Sequence, residues 1–237
     1  MPEHADYLNS LPNPISRHEV AAQFVGADQT EDAAVRAFLA SMVWGHGRNG
    51  YGAFRTAGVL EATDHAGARL LETMQVARAG GGAAGFDHLA RHRLKGLGVA
   101  FATKYLYFCL ADSDTVPPAP ILDAVVSDWL AMHAGWRPKL KWKVEDYRRY
   151  CDLVSAWSTQ LQEPSATVEY LMFASGMRIA NQWADPKVTV SGVAAVLEAL
   201  DQAAEAFEAI PGPASVQDEG AFREGVRALR QLALARA

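Results

Sequence analysis

The sequence predicts an all-α protein with roughly nine or ten helices. Apolar residues recur at helical spacing in almost every extended segment, and the alternating apolar and polar patterns typical of strands are missing. Glycine or proline clusters separate the segments, as expected for turns between helices. These clusters lie at residues 45–52, 80–82, 117–120, 136–138 and 211–213.

The individual helices follow from the spacing of their apolar side chains. In residues 144–161, for example, Tyr147, Tyr150 and Val154 share one face. Ser165 is predicted to be an N-cap, because its hydroxyl can accept a backbone N–H of the first helical turn. Helices are predicted over residues 30–44, 83–92, 144–161, 165–179, 190–207 and 220–235, together with one that begins at Val99 and one that follows Asp123.

The composition is that of an ordinary globular protein. Of 237 residues, 50% are hydrophobic and 21% are charged, with a net charge of −5. No apolar run reaches the roughly 20 residues of a membrane span, and the first residues do not resemble a signal peptide. Cys109 and Cys151 both lie in apolar helical patterns, which is typical of core thiols in a reducing compartment. We therefore expect a cytoplasmic protein without membrane contact.

Basic side chains are concentrated in two segments of an otherwise acidic chain. Residues 91–104 carry four basic side chains and no acidic one. Residues 137–149 carry six basic against two acidic side chains, a local charge of +4. This distribution is compatible with a phosphate-binding face for nucleic acid. Two solvated basic stretches without a ligand are the alternative.

Lys104 is the single charge in an apolar run of sixteen residues, 96–111. Phe101 at i−3 and Phe108 at i+4 share its helical face. A lysine in that setting either extends its ammonium group to water or lies desolvated. Desolvation disfavours the charged form, so a buried amine becomes a nucleophile near neutral pH.

Residues 94–99, Leu-Lys-Gly-Leu-Gly-Val, have the form of a helix-hairpin-helix turn between two predicted helices. Glycines allow a close backbone approach to a phosphate, and the next helix offers free N–H groups. A simple turn is the alternative. Nineteen residues after Lys104, a proline-rich segment leads to Asp123 at the start of another helix. Without the preceding motifs, the simplest interpretation of Asp123 is a residue at a helix start that interacts with the helix dipole.

In this order of hairpin, lysine, proline-rich turn and aspartate, the chain resembles the helix-hairpin-helix (HhH-GPD) DNA glycosylases. The closest likeness is to their lysine-bearing branch, the 8-oxoguanine DNA glycosylases. Residues 150–157 and 168–176 resemble the C-terminal helix pair of that family, and residues 44–52 follow the helix after which it inserts a wedge into the duplex. The N-terminal β-sheet domain of the eukaryotic enzymes is missing, which is typical of a compact form.

The resemblance implies a role for each matching residue. Lys104 would attack the sugar, and Asp123 would assist it. Phe173 would stack on the extruded base, while Glu169, where the eukaryotic enzymes have glutamine, would read its edge. A carboxylate only accepts hydrogen bonds, so it favours guanine N1–H and N2–H₂ or an amino-bearing cytosine derivative. The DNA-contacting residues would be Gly96, Gly98 and Val99 in the hairpin and His46, Arg48 and Asn49 in the wedge loop.

The resemblance also implies the organisation and the activity. We expect a single domain over residues 1–237, with one helical lobe at about residues 28–135 and a second made of residues 1–27 and 136–237. A monomer would bind double-stranded DNA and remove a modified base, with 8-oxoguanine the expected one, by glycosylase and β-elimination (AP lyase) chemistry without metal or organic cofactor. The alternatives are a glycosylase for another base, including hypermodified viral DNA in antiphage defence, a non-catalytic DNA-binding protein, and a protein–protein adaptor.

Overall fold

The protein is all-α in the residues that its computed structural model describes, which are 4–47, 52–111, 113 and 116–177. Ten helices and no strand are found there, which confirms the predicted class. The helices are α1 (Ala5–Ser10), α2 (Arg17–Ala22), α3 (Glu31–His46), α4 (Gly52–Glu61), α5 (Ala66–Gly80), α6 (Gly82–Arg91), α7 (Val99–Cys109), α8 (Ala124–His133), α9 (Val144–Leu161) and α10 (Ser165–Met177).

Most predicted helices are found within one or two residues of their expected ends. Helix α9 has the predicted bounds, and Thr30 caps α3 by accepting the N–H of Ala33. The prediction for Ser165 is wrong in one detail, because Ser165 is already helical. The carbonyl of Pro164 accepts the N–H groups of Thr167 and Val168. Helix α10 therefore begins at Ser165 itself, one residue earlier than it would with Ser165 as the N-cap. The predicted helices over residues 190–207 and 220–235 lie outside the described residues.

Helix α7 passes through the centre of the core. Tyr105, Leu106 and Phe108 on it are fully buried. The Tyr105 ring lies 5.7 Å from the rings of both Phe24 and Phe38, and its hydroxyl donates to the carbonyl of Leu70 at 2.9 Å. Close packing leaves such a helix little freedom to shift. Lys104 is therefore carried on a rigid support.

Two further predictions concern the chain as a whole. Both cysteines are buried in the core, as expected. Among the described helices, none has both the length and the apolar character needed to cross a bilayer. The division into two lobes stays a prediction, because much of the second lobe would consist of residues 178–237, outside the described part.

Candidate active site

A cavity of about 190 Å³ brings together the four residues that the sequence assigned to catalysis and base recognition. Lys104 comes from α7, Asp123 from the start of α8, and Glu169 and Phe173 from one face of α10. The chain segments that carry them are separated by as many as 69 residues (Lys104 to Phe173). The other lining residues are Arg17, Trp44, Gly45, Ile121, Val125 and Tyr170.

Lys104 and Asp123 form an ion pair inside this cavity. The distance from Nζ to Oδ2 is 3.5 Å, and the two side chains are only 13% and 14% exposed. The ammonium group also lies 5.5 Å from the centroid of the Phe101 ring. Lys104 therefore does not extend into bulk water, which was the alternative to a catalytic role. Instead, its amine stands beside a carboxylate in a largely desolvated space.

The two oxygens of Asp123 have different partners. While Oδ2 faces Lys104, Oδ1 accepts the N–H of Val126 at 3.1 Å and caps α8. Asp123 is thus the N-terminal helix residue that its sequence position suggested and also a neighbour of the lysine. The cap fixes the orientation of the carboxylate relative to the amine.

The segment before Asp123 is fixed by hydrogen bonds to its backbone. The Thr103 hydroxyl, next to Lys104 in sequence, accepts the N–H of Leu122 at 3.0 Å and donates to the carbonyl of Leu122 at 3.3 Å. From α9, the hydroxyl of Tyr147 donates to the carbonyl of Pro120 and that of Tyr150 to the carbonyl of Ile121, both at 3.0 Å. Each bond satisfies a backbone N–H or C=O group whose burial without a partner would be costly. The relative position of lysine and aspartate is therefore determined by buried contacts.

Glu169 lines the same cavity and is 1% exposed. Its Oε2 accepts hydrogen bonds from both Nη1 and Nη2 of Arg17, each at 3.2 Å. Burial raises the pKa of the Glu169 carboxyl, and the negative charge of Asp123 acts in the same direction, while Arg17 opposes both. Glu169 is therefore a buried residue of the cavity and not a surface side chain.

Arg17 is the charged residue of the cavity that the sequence analysis did not identify. Its guanidinium carbon lies 5.1 Å from the ring centroids of Trp44 and Tyr107 and 5.9 Å from that of Tyr170. Rings at these distances attract a cation through their π-faces. The only local signal is the capping box of Ser16 and Glu19, which marks the start of α2. It does not indicate that the first residue of the helix meets a glutamate 152 positions later.

The hairpin is present at the predicted place, outside the cavity. Gly96 has a φ of +82°, a backbone conformation that favours glycine, and Gly98 is the N-cap of α7. Leu94 and Leu97 are buried and anchor the turn, whereas both glycines are exposed. Val99 has a buried side chain, so only its backbone N–H could face a ligand. The first N–H groups of a helix have no intrahelical acceptor.

The two basic segments meet at one point of the surface. The guanidinium carbon of Arg93, just before the hairpin, lies 5.7 Å from the centroid of the Trp142 ring. Trp142 is flanked by Lys141 and Lys143, both exposed. The structure therefore brings Arg93 and the lysines on either side of Trp142 onto one basic surface next to the hairpin, while Lys104 lies in the cavity.

The wedge loop is described only in part. The ring of His46 stacks on Phe101 with centroids 4.2 Å apart, which turns it toward the lysine helix. Burial lowers the pKa of His46, and the positive charges of Arg55 and Lys104 act in the same direction. Arg48 and Asn49 lie outside the described residues. The wedge role of all three stays a prediction.

Comparison with known proteins identifies the family of the chain. The model of a family described as "Putative 8-oxoguanine DNA glycosylase OGG-like protein" matches residues 2–173. The chain belongs to this OGG-like family. The match extends over the hairpin and all four predicted cavity residues, and it also includes Arg17. No curated protein and no solved structure matches the chain. Membership in the OGG-like family makes DNA the expected ligand and base excision the expected class of reaction.

Proposed function

We propose that this OGG-like protein is a DNA base-excision glycosylase with associated AP lyase activity, acting on a modified base for which 8-oxoguanine is the first candidate. The observation that carries the proposal is the Lys104 amine, held 3.5 Å from the Asp123 carboxylate in a cavity that is also lined by the aromatic ring of Phe173 and the carboxylate of Glu169. A protein that only binds DNA has no need of such a pair.

DNA would bind first through its backbone. The exposed glycines of the hairpin allow a phosphate to approach the N–H groups at the start of α7, and the basic surface around Trp142 adds sequence-independent attraction. One nucleotide would then rotate out of the stack, at a cost of roughly a few kcal/mol, least for a damaged base. The cavity is smaller than the about 300–1,000 Å³ typical of drug-sized ligand sites. Its size suits a single base.

Chemistry would follow at the sugar. Lys104 gives up a proton and its amine attacks C1′ while the glycosidic bond breaks; the base leaves with its bonding electrons and takes up that proton. The Asp123 carboxylate stabilises the positive charge that develops on the sugar. The C1′–O4′ bond of the sugar ring then breaks, O4′ takes up a proton from the bound amine, and a protonated Schiff base joins Lys104 to C1′. Loss of a proton from C2′ expels the 3′ phosphate, and this β-elimination cleaves the strand.

Base recognition would come from α10. Phe173 and Glu169 are four residues apart and both line the cavity, so one can stack on the base while the other accepts hydrogen bonds from its edge. An acceptor-only group suits guanine N1–H and N2–H₂. It also suits an amino-bearing cytosine derivative, which makes a glycosylase for modified cytosine, including viral hypermodified DNA, the second candidate. We further propose that the protein acts as a monomer in the cytoplasm.

A panel of duplexes, each with one modified base, tests the proposal. Alkaline gels report base removal, and neutral gels report strand cleavage by the lyase step. We expect cleavage at a guanine-type lesion in both gels, with no cleavage by Lys104→Gln in the neutral gel. Absence of cleavage at every base, with normal DNA affinity, would favour the non-catalytic binder. Absence of any DNA affinity would favour the adaptor.

A further inference from the structure

We infer that Arg17 is a specificity-determining residue, which donates hydrogen bonds to a carbonyl oxygen of the flipped base beside the edge that Glu169 reads. The substrate class is then a base with a carbonyl next to N–H donors, as in guanine. This inference rests on the proposed glycosylase function and assigns a task to a residue of the N-terminal helix α2.

The orientation of the pair leaves hydrogen-bonding groups for a ligand. Nη1 and Nη2 of Arg17 both approach the same glutamate oxygen, Oε2, at 3.2 Å. A guanidinium has five N–H donors. Two contact Glu169 and a third is used in a hydrogen bond with the Tyr107 side chain, which leaves two donors for a ligand. Its side chain is 16% exposed and lines the cavity, as does Glu169. The pair thus presents an acceptor and donors side by side to an incoming base.

The surroundings hold the guanidinium in this position. Trp44, Tyr107 and Tyr170 face it with ring centroids at 5.1, 5.1 and 5.9 Å. A planar guanidinium stacked in this way loses little freedom when it binds a further acceptor, whereas a lysine ammonium would act only as a point charge. The positive charge also opposes the effect of burial on Glu169, and so favours the ionised, acceptor-only form of that group.

Complementarity then selects the base. In guanine, the donors N1–H and N2–H₂ adjoin the acceptor O6, which matches a carboxylate beside a guanidinium. In adenine, an amino group replaces O6 and would face the donors of Arg17. A site built around buried polar groups rejects a base that leaves them unpaired. The alternative is a purely structural pair that ties α2 to α10, and such a pair would not discriminate between the two bases.

The test is the ratio of single-turnover excision rates for 8-oxoguanine and 8-oxoadenine, each placed opposite cytosine in the same duplex. The wild-type protein is expected to prefer 8-oxoguanine. Arg17→Met, which keeps an apolar stem of similar length, should lower this ratio by about tenfold or more. Arg17→Lys should recover part of it. The matched control is Arg36→Met, since Arg36 pairs with Asp32 at 2.9 Å on α3 and does not line the cavity; its ratio should equal that of the wild type.

The outcomes separate this inference from the proposed function. A wild-type ratio in Arg17→Met, including one that results from an equal loss of both rates, would make the pair structural and overturn the inference. Excision of 8-oxoadenine by the wild type as fast as of 8-oxoguanine would also overturn it and leave the glycosylase intact. Borohydride trapping of wild-type protein on abasic DNA needs no base. Failure there would contradict the proposed chemistry itself.

Discussion

The hairpin immediately precedes helix α7, and Lys104 of the same helix lines the cavity, yet the two regions are built in opposite ways. The hairpin is exposed, consists of consecutive residues and offers backbone groups. The cavity is formed mainly by side chains from α2, α3, α7, α8 and α10. An exposed backbone loop suits sequence-independent attachment to phosphates, whereas buried charges suit chemistry and selection. Variants of one region should therefore leave the task of the other unchanged.

The strongest expected effect concerns the nucleophile. Lys104→Gln should abolish the covalent adduct that borohydride traps during reaction, because an amide cannot form a Schiff base. Affinity for DNA at the hairpin should stay close to that of the wild type. Lys95→Gln is the matched control, since it also removes one lysine, from the exposed hairpin. It should still give the adduct; an adduct in Lys104→Gln at the wild-type rate would remove Lys104 from the chemistry.

Asp123→Asn should lower the single-turnover excision rate on the order of 10²-fold or more, because it removes the charge that stabilises the developing cation. The fold should be kept. Asn is an N-cap as good as Asp, so the bond that Asp123 makes to Val126 N–H can persist. Asp123→Ala should additionally lose about 1 kcal/mol of stability. Thermal melting and rate measurements on both variants check this, and equal rates in Asp123→Asn and wild type would leave Asp123 with the capping role alone.

Gly98→Val should weaken duplex binding by about tenfold without a comparable loss of stability. A Cβ at Gly98 meets no atom within 4 Å, and its φ of −85° is open to any residue. The added side chain would instead stand where a phosphate approaches, and a hydrogen bond to a charged group is worth about 1.5–3 kcal/mol. Wild-type affinity should fall steeply with salt. A flat salt dependence, or normal binding by the variant, would contradict the role of the hairpin.

Phe173→Ala should reduce the preference for lesion over undamaged DNA by about 1–3 kcal/mol, the usual loss on truncating an aromatic that stacks on a base. Undamaged DNA serves as the internal control, since it engages the hairpin without occupying the cavity. Titrations of both duplexes measure the difference. If lesion and undamaged DNA weaken alike, Phe173 belongs to the core rather than to the base pocket.

The smallest effect should be a pH dependence that originates in the cavity. Because burial raises the pKa of Glu169, this carboxyl takes up its proton at a higher pH than an ordinary glutamate. Below that pH it is neutral and no longer accepts from both N–H donors of the base. The excision rate of a guanine-type lesion should therefore decline as the pH falls, and this decline should begin at a higher pH than the titration of an ordinary glutamate would cause. In Glu169→Gln this decline should be missing; an identical pH profile in the two proteins would place the titrating group elsewhere.

The contrast between a hairpin of consecutive residues and a cavity formed from several helices also explains how much of the site could be predicted from the sequence. The hairpin, Lys104 and Asp123 could be predicted because each depends on its neighbours in sequence. The hairpin is marked by its glycines, Lys104 by its isolation among apolar residues, and Asp123 by its position at the start of a helix. Glu169 and Phe173 were found through the family resemblance, since spacing alone favours a core position for Phe173 and allows a surface position for Glu169. All four predicted cavity residues do line one cavity.

What could not be predicted depends on tertiary placement. Arg17 begins a six-residue helix, and nothing near it in sequence indicates a buried glutamate and three aromatic rings as neighbours. Likewise, Tyr147 and Tyr150 were recognised as one helical face, but their hydroxyl bonds to the backbone before Asp123 depend on how α9 packs. The prediction of Ser165 as an N-cap is wrong because the carbonyl of Pro164, one residue earlier, accepts the first hydrogen bonds of the helix.

The central claim is that the amine in the cavity, and not one on the basic surface, attacks the sugar. Wild-type protein can be trapped with borohydride on abasic and lesion duplexes, digested and mapped by mass spectrometry to locate the modified lysine. The account predicts the deoxyribose remnant on the peptide that contains Lys104, on both duplexes. A remnant on Lys95, on a lysine of residues 137–149 or on the N-terminal amine would contradict it.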